Sequence, residues 1–220
     1  MESALVIGAT GGIGSAVVEI LESQGVTVTG ISRADGFDVT QPESVEQVLG
    51  AIISKYDLIF VAIGILAGQG NAPEKSLAAV NAEAMHEVFA VNTIGPALIL
   101  RHAARLLNKD KRGVVAVLSA RVGSIGDNRI GGWHSYRASK AALNQIVHGA
   151  AIELGRSHKN SVCVALHPGT VETPFTADYV GRHKTVSAKD AATNLIDVLK
   201  DLGVEDSGGF YDYVGQKIDW

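Results

Sequence analysis

Ala4-Leu5-Val6-Ile7-Gly8-Ala9-Thr10-Gly11-Gly12-Ile13-Gly14 is the stretch that decides the fold. Four consecutive apolar residues that stop at a glycine suit a short strand buried on both faces. In the segment that follows, Ile13, Val17, Ile20 and Leu21 fall on one helical face, and Gly25 is placed to end that helix. The glycines therefore occupy a strand-to-helix turn. Gly8, Gly12 and Gly14 permit a tight turn and a close approach of backbone to a pyrophosphate. The start of the helix offers unpaired N–H groups and a partial positive charge to the same anion. Gly8, Thr10, Gly11, Gly12 and Ile13 are accordingly the first candidate cofactor-binding residues.

Working outward, the chain keeps alternating strand and helix. Val26 to Ile31 reads as a second strand. Thr40 and Glu43 have capping-box spacing, ahead of a helical face of Val45, Val48, Leu49 and Ile52. Leu58 to Ile63 is another buried strand, and helical composition runs roughly from Asn81 to Asn108. Strands at Val114–Leu118 and Ser161–Leu166 enclose a helix at Tyr136–Leu154. A helix over Ala188–Leu202 leads to a short strand near Gly209-Phe210-Tyr211. This order predicts an α/β fold: a Rossmann-type, doubly wound parallel sheet in one domain over residues 1–220. Such sheets bind ligands beyond the carboxyl ends of their strands, where strand order reverses. One region is short. About six residues separate the second strand from Phe37-Asp38-Val39, and a parallel crossover needs about ten or more. A shortened third-strand region, a stub at the sheet edge, is therefore expected.

The bulk properties narrow the function classes. Hydrophobic residues make up 46% and charged residues 19%, which is ordinary for a water-soluble domain. A net charge of −4 gives no nucleic-acid footprint. No apolar run approaches the ~20 residues that cross a bilayer, and the start of the chain lacks a basic signal-peptide region. The lone Cys163 has no partner for an internal disulfide and sits in an apolar run, as a buried thiol would. A cytoplasmic protein without a metal site, a nucleic-acid partner or a membrane partner is the expectation.

The spacing glycine, three residues, glycine, one residue, glycine resembles that of the short-chain dehydrogenase/reductase family, and the likeness runs along nearly the whole chain. Enzymes of this kind that prefer NAD place an acid after the second strand, on the ribose hydroxyl. Here Ser32-Arg33 stands there, and an arginine pairs with a 2′-phosphate. NADP(H) is therefore the expected cofactor, with NAD(H) the alternative, because Gly11 stands where many NADP-preferring relatives carry a basic residue. Asp38-Val39 matches the family pair that contacts adenine. Gly64 retains only the glycine of the family's Asn-Asn-Ala-Gly. Pro168-Gly169-Thr170-Val171-Glu172-Thr173 matches the loop that closes over the nicotinamide, which adds Pro168, Gly169, Val171 and Thr173 to the candidates.

Tyr136-Arg137-Ala138-Ser139-Lys140 carries the chemistry. Residues four apart share a helix face. The lysine charge is expected to lower the phenol from ~10 toward the working pH, and a phenol so tuned gives a proton to a carbonyl oxygen or takes one from an alcohol. The resemblance implies further roles. Tyr136 is the general acid/base; Lys140 tunes it and holds the nicotinamide ribose; Asn92 supports a proton relay through water. All three would also contact the cofactor.

The run Ser119-Ala120-Arg121-Val122-Gly123 departs from the family. Counting back from Gly123, the serine that holds the substrate oxygen is replaced by Ala120. Ser119 is one residue off and points to the other side of the strand unless the strand end twists; it is retained as a catalytic candidate. Arg121 to Ile125, Gly131-Gly132-Trp133 and Tyr136 to Lys140 together resemble the C-factor-like branch, in which the Trp133 region walls the substrate site. The resemblance implies a small carbonyl or alcohol substrate, a short lid at about 174–187, and a homodimer or homotetramer. A second reading is a cofactor-binding signalling or regulatory protein with vestigial catalysis. The aromatics from Phe210 through Trp220 suit packing on a partner or covering the site, and the sequence leaves both open.

Overall fold

The computed structural model describes residues 1–68, 72–172 and 185–220. Among these residues the sheet has six strands: β1 (Ser3–Ile7), β2 (Thr27–Ile31), β3 (Leu58–Val61), β4 (Gly113–Leu118), β5 (Ser161–His167) and β6 (Phe210–Asp212). They are all parallel and lie in the order β2-β1-β3-β4-β5-β6. The helices are α1 (Gly12–Ser23), α2 (Pro42–Gly50), α3 (Ala82–Phe89), α4 (Gly95–Leu100), α5 (Ala103–Leu106), α6 (His134–Ser157) and α7 (Ala188–Asp201).

The period of the strands sorts their residues into two layers. Ala4 and Val6 of β1 pack with Val17 and Leu21 of α1 and Leu195 and Leu199 of α7. Leu5 and Ile7 face the other way, onto Val45 and Leu49 of α2, Ile99 of α4 and Leu143 of α6. Both faces are dry, which is why these strands read as unbroken apolar runs. Cys163 is fully buried in the second layer, as expected.

Winding direction reverses between β1 and β3, and the glycine turn lies in the crevice this opens. The fit is close. A Cβ on Gly8 would stand 2.4 Å from the carbonyl oxygen of Ala62, and one on Gly14 would stand 2.1 Å from that of Gly8.

No strand forms in the shortened region after β2. Ser32 instead caps a single 3-10 turn, Arg33–Asp35, with its side chain accepting from Ala34 N and Asp35 returning a bond to Ser32 N. Gly36 then turns the chain with φ 76°, and Phe37 and Val39 drop into the core. β2 is left as a sheet edge. The capping box read at Thr40 and Glu43 does not form. The Thr40 hydroxyl donates to Asp38 Oδ1 (2.7 Å), and α2 starts at Pro42, whose fixed φ and missing N–H suit a first helical position.

The helical stretch read over 81–108 is broken into three helices. Asn81 caps α3, its Oδ1 accepting from Ala84 N (2.9 Å). Between α3 and α4 the chain makes a π turn, Ala90–Ile94, in which Gly95 N–H reaches back to Ala90 O. Pro96 follows and has no N–H to return an α-type bond to Asn92, so the wide turn sits where an α ladder is already weakened. α6 is longer than expected, and its start is conformationally costly. Gly131, Gly132 and Trp133 are all left-handed (φ 69°, 66° and 51°), and Trp133 is the one non-glycine residue with positive φ among those described. Glu74 secures that start by accepting from Ser135 N (3.2 Å) and from the Ser135 hydroxyl.

The C-terminal aromatics pack on their own chain. Trp220 stacks on Phe210 (5.9 Å between ring centroids) and meets His148 edge-on.

Candidate active site

A cavity of about 790 Å³ opens at the carboxyl ends of β1, β3, β4 and β5. It gathers most of the candidates read from the sequence. Thr10, Gly11, Gly12, Ile13 and Gly14 line it, with Arg33 and Gly64. So do Ser119, Tyr136 and Lys140, and Pro168, Gly169 and Val171 of the loop after β5. Gly8 lies beneath the lining, where it lets the turn close on Ala62. Asp38 and Val39 do not reach the cavity among its described lining residues. The Asp38 carboxylate accepts from Thr40 N and the Thr40 hydroxyl, bonds that hold it below the usual carboxylate range. Val39 is buried against Gly95, where a Cβ would stand 2.3 Å from Val39 Cγ2. Thr173 and residues 174–184 of the expected lid lie outside the described residues.

Tyr136 and Lys140 are adjacent on α6. Lys140 Nζ lies 6.0 Å from the centre of the Tyr136 ring, and it donates to Leu118 O (3.0 Å) at the end of β4. Both side chains are buried, and this corrects the sequence expectation. Loss of water pushes the phenol well above its usual range and pulls the lysine down to about 7. Burial is the cause at both groups, because each ionised form loses its hydration. The Trp133 ring stands edge-on to Tyr136, 6.2 Å between centroids, and forms part of the cavity wall.

Asn92 is fully buried in the π turn. Its Oδ1 accepts from Ile65 N (2.8 Å), and its Nδ2 donates to Ile65 O (2.8 Å) and to Ser139 Oγ (3.1 Å). The amide thus ties the segment after β3 to α6. A Cβ on Gly64 would stand 3.3 Å from Asn92 Oδ1 and 3.4 Å from Lys140 Nζ, so the glycine is what lets these two polar groups converge.

Ser119 lines the cavity wall, but its hydroxyl donates to Asn144 Oδ1 (2.6 Å) on α6. Asn144 stands one helical turn beyond Lys140 and two beyond Tyr136, and its Nδ2 is buried without a hydrogen-bond partner. Sequence reasoning missed it, although positions 136, 140 and 144 share one helix face. It also missed His167, which lines the cavity directly before Pro168-Gly169. Burial and the nearby Arg121 charge hold that imidazole down to about 4, against the pull of Asp212, so it is neutral.

A glycine turn at a sheet switch point, facing a buried Tyr–Lys pair across one cavity, defines a dinucleotide-type oxidoreductase site. Comparison with known proteins carries this a step further. Residues 32–201 match the sequence model of the family described as enoyl-(acyl carrier protein) reductase. Over its whole length the chain is 32% identical to 1-hydroxy-2-glutathionyl-2-methyl-3-butene dehydrogenase of Rhodococcus sp. (strain AD45), covering 100% of both chains. It is 36% identical to C-signal of Myxococcus xanthus across 62% of this chain and 78% of that one. The fold superposes on an NADPH-bound carbonyl reductase from chicken fatty liver with a TM-score of 0.85, at 23% identity, covering 100% of this chain and 94% of the other. The chain belongs to the short-chain dehydrogenase/reductase family and is an oxidoreductase of that type.

Proposed function

We propose that the protein is an NADP(H)-dependent oxidoreductase of a small carbonyl/alcohol pair, with Tyr136 as general acid/base. The observation that carries this is a single cavity lined by the glycine turn, Arg33, Tyr136 and Lys140. The residues present fit a dinucleotide. Gly8 and Gly14 pack against neighbouring backbone too closely for a Cβ on either, which leaves the N–H groups at the start of α1 open to a pyrophosphate. Arg33 is the charged group of the β2 end that reaches the cavity, and no Asp or Glu lines it among the described residues. That favours a 2′-phosphate and hence NADP(H) over NAD(H). The structural likeness to the NADPH-bound carbonyl reductase from chicken supports the same choice.

The bound dinucleotide supplies the hydride acceptor or donor. The chain's own residues handle the proton and the geometry. Tyr136 is held protonated by burial, so in reduction its O–H proton passes to the carbonyl oxygen as that oxygen gains charge. Lys140, lowered to about 7, carries its charge for part of the time near neutrality, and that charge opposes the cost of the resulting phenolate. Asn92 fixes the distance between the β3 end and α6, and so positions Lys140 against Gly64. The same reading includes a homodimer or homotetramer; Ile94 of the π turn and Ile152 of α6 are about half exposed (52% and 53%), as apolar residues at a packing surface would be.

The test is NADPH oxidation against a panel of aldehydes and ketones. Tyr136→Phe is expected to lower kcat about 10²- to 10⁴-fold with the Kd for NADPH within about twofold. No turnover of any carbonyl by the wild type would count against the reading. The likeness to C-signal, with Ala120 in the catalytic strand end, supports a second reading: a nucleotide-binding signalling protein with vestigial catalysis. A cellular phenotype indifferent to Tyr136→Phe would favour it.

A further inference from the structure

We propose that His167, at the carboxyl end of β5, contacts the substrate and presents an imidazole N–H to its carbonyl oxygen, in the space left by Ala120. The inference rests on the carbonyl/alcohol reading above and adds a residue to it. Three observations carry it. First, His167 lines the same cavity as Tyr136 and Ala120. The ladder places it beside them: Leu118 pairs with Leu166, and Ser119 N donates to Leu166 O (2.7 Å), so His167 lies across from the Ser119–Ala120 step. Second, that step offers no hydroxyl to the cavity. Ala120 has none, and the Ser119 proton is held by Asn144. Third, His167 Nδ1 is sealed from solvent and has no hydrogen-bond partner.

The third observation sets the tautomer. A neutral imidazole carries one proton on one of two nitrogens. A buried N–H without an acceptor costs its full desolvation penalty, so the proton belongs on Nε2 rather than on the sealed Nδ1. Nε2–H is then a donor on the edge of the ring away from the sealed nitrogen. The ring stays neutral near neutral pH because burial and the Arg121 charge oppose protonation. A neutral imidazole donates a hydrogen bond without giving up its proton, so it stabilises charge on the oxygen while Tyr136 transfers the proton. The division of labour leaves proton transfer with the tyrosine and orientation with the histidine.

The experiment uses the full chain with NADPH and 4-nitrobenzaldehyde. His167→Phe, which fills the space but donates nothing, is expected to lower kcat about 10²-fold, the scale of one lost donor at such an oxygen. NADPH affinity should stay unchanged. His167→Gln keeps an N–H and should retain most of the activity. Adding Ala120→Ser to His167→Phe restores a hydroxyl at the strand end and should recover at least about tenfold of the loss, a rescue that a purely packing role for His167 would not give. Should His167→Phe misfold, His167→Ala with and without Ala120→Ser makes the same comparison. An active wild type with an indifferent His167→Phe, or equal losses in the Phe and Gln variants without rescue, overturns this proposal alone. A wild type that binds NADPH yet reduces no carbonyl removes the reaction reading and this inference together.

Discussion

The β1–α1–β2 half of the site and the β4–α6–β5 half are built on different principles. The first is made of backbone: its defining residues are glycines, and what matters is the absence of a side chain at Gly8 and at Gly14. The second is made of side chains that reach one another from different elements. Tyr136, Lys140 and Asn144 come from α6, Ser119 and Ala120 from the end of β4, and His167 from the end of β5. A backbone cradle tolerates almost no substitution but is indifferent to its neighbours' chemistry. A side-chain site can lose a member if another group lies within reach, which is how the proposed reading accounts for Ala120 in place of a serine.

The sharpest way to break this contrast is to add one methyl group to each half. Gly14→Ala should abolish measurable nucleotide binding, because the new Cβ would meet the Gly8 carbonyl oxygen at 2.1 Å. Gly149→Ala, on α6 with nothing within 4 Å of the new Cβ, should leave binding intact and raise stability by about 0.5–1 kcal/mol. Titration with NADPH and urea melts of both variants check the pair, and equal effects would sink the distinction.

A smaller effect is expected at Arg33, the charged side chain that the proposed NADP(H) reading places beside the backbone half. Arg33→Ala should raise the Kd for NADPH about ten- to a hundredfold, the scale of a lost charge-assisted bond, while the Kd for NADH barely moves. A matched loss for both nucleotides would mean that Arg33 does not meet the 2′-phosphate.

The last effect belongs to Lys140 and appears as a pH dependence. Burial lowers its pKa from 10.5 to about 7 in the folded chain. The unfolded chain therefore holds the proton more tightly, and folding stability rises as pH climbs from about 7 to about 10.5, where the cost of burying the charge is relieved. The stability of the wild type relative to Lys140→Met should accordingly increase from neutral to alkaline pH in ligand-free protein. A difference that stays flat or shrinks would show that the ammonium is better solvated than its burial implies.

The same division explains what could be read from the sequence. The cradle was legible because its determinants are consecutive: Gly8 to Gly14 lie in one run, between a strand and a helix. The missing third strand was legible from the length between Ile31 and Phe37. Ser119 was recognised as displaced by one residue, yet its attachment to Asn144 was not, because that bond joins positions 25 apart in sequence. His167 went unnoticed since nothing in a strand's period distinguishes a histidine facing a cavity from one facing a helix. The expected lowering of the Tyr136 pKa failed for a related reason. Spacing on a helix shows that two groups are neighbours, and only the packed structure shows how much water each has lost.

The π turn at Ala90–Ile94 ties the course of a helix to the placing of one amide side chain. Relative to a regular helix it is one residue too long, and Asn92 sits inside the excess. Removing a single residue there would let α3 and α4 run together in α register, and would swing the following positions about 100° around the axis. The clamp between Ile65 and Ser139 would then have no amide to close it. If Asn92 positions Lys140 as proposed, a more regular helix would be a worse scaffold, and selection for activity would keep the wide turn.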